Sequence, residues 1–146
     1  MFQLDSRIQS TSFYLGDWPL SQVLLKNEQH YPWFLLVPRR ECVRELYELK
    51  QNEQILLMQE INQLSLLVTN QYQPKKLNIA TLGNIVEQLH IHCVSRAEQD
   101  PLWPQGIWHS SYTPTPYSDE AVTLILPALK HLVLQANDYL ITLQGN

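Results

Sequence analysis

The spacing of hydrophobic and polar positions changes several times along the chain, and each change marks an element. "SQVLLK" (21–26) and "WFLLVP" (33–38) are short, apolar-rich runs separated by the polar stretch "NEQHYP", which ends in Pro32. They read as two strands of an antiparallel hairpin, the second buried and stopped by its proline. Asp5 is placed to cap a short helix through Ser10, and "ECVRELYEL" reads as a short helical turn. From Gln51 to Tyr72, Leu57, Ile61, Leu64 and Val68 recur at helical spacing with Gln, Glu and Asn between them, and Pro74 follows. This is an amphipathic helix with a clear stop. "KKLNIATL" is the next strand, with a turn at Gly83–Asn84. In "EQLHIHCVS" the period is two: Gln88, His90, His92 and Val94 fall on one face, and Leu89, Ile91, Cys93 and Ser95 on the other. The histidine run is therefore expected to be a strand that follows the turn directly, burying its aliphatic face.

Residues 100–117 change character. Pro101, Pro104, Pro114 and Pro116 punctuate the segment, and Trp103 and Trp108 need partners to pack against. Ser118 then caps a terminal helix over 118–141, with Asp119 and Glu120 in its first turn and an apolar stripe of Val122, Ile125, Leu129, Leu132 and Ala136. Pro127 should kink this helix or start a new one. Hairpin, helix and hairpin together predict an α+β fold: an antiparallel sheet of about five strands, one long helix packed on it, and a C-terminal helix. The chain of 146 residues is read as one domain, 1–146.

Composition narrows the function. A net charge of −4 disfavours binding to a nucleic-acid backbone. Cys42 and Cys93 match no zinc spacing. The start, "MFQLDSRIQS", lacks a basic region followed by an apolar one, and no apolar run is long enough to span a bilayer. No membrane partner is expected, and the cytoplasm is the default location. Two imidazoles on one strand face offer a nucleophile, a hydrogen-bond donor or a metal ligand. Surface or hydrogen-bonded structural histidines are the plain alternative. A metal site would need further ligands, and His30, His109 and His131 are distant in sequence.

"QLHIHCVSR" resembles the signature of the histidine triad family of nucleotide hydrolases and transferases, His-x-His-x-His followed by apolar residues. "GNIVEQ" resembles the family's upstream Gly-Gln-Ser/Thr-Val element, and "LLKN" with "WFLLVPRR" its first hairpin. The resemblance covers about residues 20–96 and, more loosely, the tryptophan segment that follows. It implies that His90 is the nucleophile on the α-phosphorus of a purine nucleotide or dinucleotide, forming a covalent nucleotidyl-imidazole. It implies that His92 hydrogen-bonds the phosphate or leaving group. By the same resemblance Asn84 contacts phosphate or leaving group, Asn27 the ribose, and Trp33, where the family often has histidine, borders the base. No metal and no cofactor are implied. A two-fold homodimer is, and Leu56 and Leu67 exceed what one helix face needs for its own core.

Besides Trp33, the chain departs from the family pattern at three further places. Gln88 stands at the first triad position, as in a bacterial branch of the family, and is assigned an orienting role; a purely structural hydrogen bonder is the alternative. Ile85 replaces a small hydroxyl residue, and Ser95 replaces a proline. Trp33 as a simple core aromatic is equally consistent with the sequence. The leading expectation is a hydrolase or transferase acting on dinucleoside polyphosphates or nucleoside phosphoramidates. The alternatives are a nucleotide-binding protein with little turnover and a divalent-metal site on His90 and His92.

Overall fold

The computed structural model describes residues 1–109 and 112–145. In chain order the elements are α1 (Ser6–Gln9), β1 (Ser12–Asp17), β2 (Ser21–Lys26), β3 (Trp33–Pro38), α2 (Gln51–Tyr72), β4 (Lys76–Thr81), β5 (Ile91–Arg96) and α3 (Asp119–Gln144), with one 3-10 turn at Leu46–Glu48. The five strands form one sheet in the order β1-β2-β3-β5-β4. Every neighbouring pair is antiparallel. The α+β class and the two hairpins therefore stand. The long helix has the bounds its periodicity gave.

The sheet separates two packed layers. On one face Val23, Leu25, Phe34, Leu36, Ile91 and Cys93 bury against Leu57, Leu64 and Val68 of α2 and Leu129, Val133 and Leu140 of α3. On the other, Leu24, Trp33, Leu35 and Val94 pack with Ile8, Tyr31 and Ile107. The period-two reading of the histidine run is what makes this possible. Leu89, Ile91 and Cys93 face the helices, and Val94 faces the opposite layer with the histidines.

Four details differ from expectation. The fifth strand is β1, which the hydrophobic pattern did not announce. Tyr14 pairs with Leu24 and Gly16 with Val23, so Leu15 is an extra residue in a bulge. A bulge shifts the alternation by one and hides the strand from a period-two reading. Next, β5 begins at Ile91 rather than Gln88, and residues 82–90 form an irregular connection. The backbone N–H of Leu89 bonds to the Val43 carbonyl instead of to a strand partner. Third, α3 runs unbroken through Pro127 to Gln144. The missing Pro127 N–H falls at an exposed position, and Thr123, whose carbonyl it would have bonded, is exposed to water. Last, Leu67 is not surplus: it lies in the core that α3 closes, while Leu56 is half-buried at its edge.

Candidate functional site

His90 and His92 lie side by side on the sheet face opposite α2, their ring centres 4.8 Å apart and the rings edge to face at 72°. Both are almost fully buried, at 7% and 6% exposure. Each has one ring nitrogen committed, and in opposite senses. His90 Nδ1 sits 2.6 Å from the backbone carbonyl of Gln88. A carbonyl only accepts, so Nδ1 carries the proton and Nε2 holds a bare lone pair. For His92, Nδ1 receives the indole N–H of Trp33 at 2.9 Å. An indole N–H only donates, so Nδ1 holds the lone pair and Nε2 carries the proton. One histidine thus offers a nucleophilic nitrogen, and its neighbour offers an N–H.

Electrostatics keeps both rings neutral. Burial lowers the His90 pKa, with the nearby Lys26 charge adding to that and the Gln88 carbonyl and Asp5 opposing it. His92 is lowered to about 3, first by burial and then by the charges of His90 and Lys26. A neutral imidazole at pH 7 is the form that can attack.

The walls come from distant parts of the chain. Trp108 packs edge to face on His92 at 69° with ring centres 5.2 Å apart, and perpendicular to Trp33 at 6.4 Å. It is delivered by the Pro/Trp segment, which Arg96 anchors. The Arg96 guanidinium is buried, pairs with Asp100 at 2.7 Å, donates to the Gln105 carbonyl and the Asn78 side chain, and lies over the rings of Tyr31 and Trp103. Lys26, half-buried at the end of β2, holds its ammonium 5.7 Å from the centre of the Trp33 ring and donates to Thr11 Oγ1.

The other sequence-nominated residues sit as follows. The Gln88 amide is bonded to the N-terminal segment, accepting from the Asp5 N–H and donating to the Gln3 carbonyl, each at 2.9 Å. What holds His90 is therefore the backbone carbonyl of Gln88, not its side chain. Trp33 is buried between Lys26 and His92. Asn27 Oδ1 accepts from the Tyr117 N–H at 2.9 Å, which ties the segment before α3 to the β2–β3 turn. Fully buried Glu28 does the same through the Thr115 N–H. Asn84 and Ile85 are exposed on the 82–90 connection, where Asn84 lines a groove with Arg44 and Glu87. No described contact joins Asn84 to either histidine. Among the described residues, no group of three or more His, Cys, Asp or Glu side chains converges as a metal site would require.

Sequence reasoning missed three contributors: Lys26 as a cation beside the site, Trp108 as a wall, and Arg96 as the anchor of that wall. The only advance signal was that two tryptophans in a proline-rich segment had to pack somewhere.

A five-stranded antiparallel sheet with helices packed on one face and a buried pair of neutral histidines on the other, one with a bare lone pair and one with an N–H, defines an α+β protein with a histidine site. The comparisons agree with that class. The family model described as "HIT domain" matches residues 7–99. Among solved structures, a histidine triad protein from Bradyrhizobium japonicum is 38% identical, with 89% of this chain and 96% of that chain covered and a TM-score of 0.84. One from Marinobacter aquaeolei is 36% identical over 96% of this chain and 98% of that chain, with a TM-score of 0.85. A third, from Sinorhizobium meliloti, is 33% identical over 89% and 96%, with a TM-score of 0.84. No curated protein matches the chain. The chain belongs to the HIT domain family, whose members bind nucleotides and are generally nucleotide hydrolases or transferases, some being binding proteins.

Proposed function

We propose that this chain is a nucleotidyl hydrolase or transferase that works through a covalent nucleotidyl-histidine on His90. The Nε2 lone pair attacks the α-phosphorus of a purine nucleotide derivative. The N–P bond forms as the bond from phosphorus to the leaving group breaks. The Nδ1–H···O=C bond to Gln88 supports the positive charge that the ring acquires. His92 donates its Nε2–H to a phosphoryl oxygen or to the leaving group. Water or another hydroxyl acceptor then attacks phosphorus: its O–P bond forms as the N–P bond breaks, its proton passes to solvent, and His90 departs as a neutral imidazole that keeps its Nδ1 proton. Phosphoryl-type transfer depends chiefly on positioning and on donors aimed at the oxygens, and a chain with these two groups meets that need.

The observation that carries this reading is the opposed pair of tautomers, fixed by the Gln88 carbonyl on one ring and the Trp33 indole on the other. Candidate substrates are dinucleoside polyphosphates and nucleoside phosphoramidates. The exposed position of Asn84 and the engagement of Asn27 with Tyr117 favour a second reading, a nucleotide-binding protein with little turnover. Incubation with both substrate classes, with and without a chelator, separates the two. Turnover that survives chelation and is lost in His90→Ala is expected. Nucleotide binding with no turnover of either class would sink the enzyme reading in favour of the second.

A further inference from the structure

We propose that the N-terminal segment is a positioning element of the histidine site: the side chains of Gln88 and Arg7 fasten the backbone of residues 85–88 to it, and so hold the Gln88 carbonyl on His90. This inference rests on the reading of His90 as nucleophile and names residues that act through His90 rather than on the substrate.

The tautomer of His90 depends on one contact, the 2.6 Å bond from its Nδ1–H to the Gln88 carbonyl. That carbonyl belongs to the irregular connection 82–90. No strand ladder fixes it, because β5 begins only at Ile91. A peptide group outside a ladder keeps its orientation only if other bonds remove that freedom.

The N-terminal segment supplies those bonds at two points. The Gln88 amide accepts from the Asp5 N–H and donates to the Gln3 carbonyl, each at 2.9 Å. Nearer the start of the connection, Arg7 Nη1 donates to the Ile85 carbonyl at 2.7 Å. The same guanidinium meets the Asp5 carboxylate, Nε to Oδ1 at 3.0 Å and Nη2 to Oδ2 at 2.7 Å. Asp5 also caps α1 by accepting from the Arg7 N–H. Arg7 and the partners of Gln88 are thus one bonded unit, which grips the connection at Ile85 and at Gln88. Phe2, Leu4 and Ile8 seat that unit on the layer that holds Trp33 and Val94. On the other side, the Leu89 N–H is tied to the Val43 carbonyl.

The chemistry of each residue suits this use. A primary amide offers a donor and an acceptor side by side, and neither titrates. The two nitrogens of an imidazole diverge across the ring, so a histidine at 88 could not meet the Gln3 carbonyl and the Asp5 N–H together. Arg7 spans a carboxylate and a carbonyl with one planar fork, which the point charge of a lysine cannot do. Asp5 adds a second contribution. Its carboxyl, drawn down to about 2 chiefly by Arg7, is ionised at neutral pH and favours the positive charge that the His90 ring acquires on attack.

Three variants of the full chain test the proposal. Arg7→Met keeps the aliphatic stem of a side chain that is 57% exposed, so the core stays closed. Gln88→Met keeps length and removes both amide bonds. Gln88→Glu keeps the acceptor and regains a donor for the Gln3 carbonyl only when it is protonated. Single-turnover rates on diadenosine tetraphosphate, calorimetric affinity for AMP and 15N spectra of the His90 ring are measured. Arg7→Met and Gln88→Met should each lower the single-turnover rate roughly tenfold, as for a misplaced reacting group, and change AMP affinity less than about twofold. In both, the His90 spectrum should pass from one tautomer to an exchanging pair. The rate of Gln88→Glu relative to the wild type should rise from about pH 7 to about pH 5, as the glutamic acid gains its proton. Rates within twofold of the wild type in both methionine variants, or a rate loss matched by lost AMP affinity with the His90 tautomer unchanged, would overturn the proposal. A relative rate for Gln88→Glu that is flat or falls with acid would refute the paired donor and acceptor. If the wild type does not turn over the tetraphosphate, the catalytic reading of His90 fails separately, and the 15N spectra alone decide: an unchanged single tautomer in both methionine variants refutes the positioning role.

Discussion

At the residue scale, the site is decided by which nitrogen of each ring is already spoken for. Burial favours the neutral form of His90, so if it is the nucleophile we propose, the acid limb of kcat/KM should lie below the ordinary imidazole value of 6.5. The sign follows from the direction of the shift: with the pKa lowered, His90 stays neutral through pH 6.5, and kcat/KM should fall only at more acidic pH. Trp33 controls the other ring. Trp33→Phe preserves an apolar aromatic but releases His92 Nδ1, which then exchanges its lone pair and proton between the two nitrogens and accepts a proton at higher pH. The expected result is a rate loss of about tenfold, as for one orienting hydrogen bond, with a changed His92 signal in 15N spectra. An unchanged tautomer pattern in Trp33→Phe would show that the indole does not set it. His90 and His92 were visible in sequence because alternation places them together. Their tautomers were not, because the Trp33 contact spans 59 residues.

At the scale of elements, the sheet has two edges of different character. The edge strand β1 is covered by α3, which approaches so closely that a Cβ on Gly16 would come within 3.0 Å of Val133 Cγ1. The opposite edge, β4, pairs only with β5. Beside it Ile79 and Leu82, and Ile55 and Met58 on α2, are exposed. An apolar groove lined by Leu46, Met58, Ile61 and Ile79 runs between helix and edge. An open strand edge flanked by apolar side chains is a surface that a second copy can cover by joining sheet to sheet. We therefore predict a homodimer through β4 and α2, with Leu67 replaced in that role by the residues that are in fact exposed. Light scattering at micromolar concentration should give twice the chain mass, and Ile79→Asp should shift it toward one. A monomeric wild type would refute the dimer; a dimer unmoved by Ile79→Asp would place the interface elsewhere. The elements themselves were legible where periodicity was unbroken, as in α2 with Pro74 beyond its end. They were not where backbone irregularity broke the pattern, as at the bulge in β1, or where exposure made an interior proline tolerable, as in α3.

At the scale of the molecule, the site is assembled by knots that tie remote segments to one sheet face. Gln88 holds the N-terminal segment, Glu28 and Asn27 hold the segment before α3, and Arg96 holds the strap that carries Trp108. Each is a polar side chain whose partner backbone lies far away in sequence or in an irregular stretch, so hydropathy patterns carry no trace of it. This is why the histidines could be named from sequence and their walls could not. The assembly as a whole makes one claim that other measurements approach only indirectly: His90 becomes covalently bound to the nucleotide. Rapid quenching of the protein with diadenosine tetraphosphate, under conditions that preserve a base-stable and acid-labile N–P bond, followed by peptide mass spectrometry, tests it. The expected result is one nucleotidyl group on the peptide that contains His90, mapped to that residue and absent from His90→Ala, which is also inactive. Near-normal turnover by His90→Ala, or an adduct mapped to His92 instead, would contradict the account.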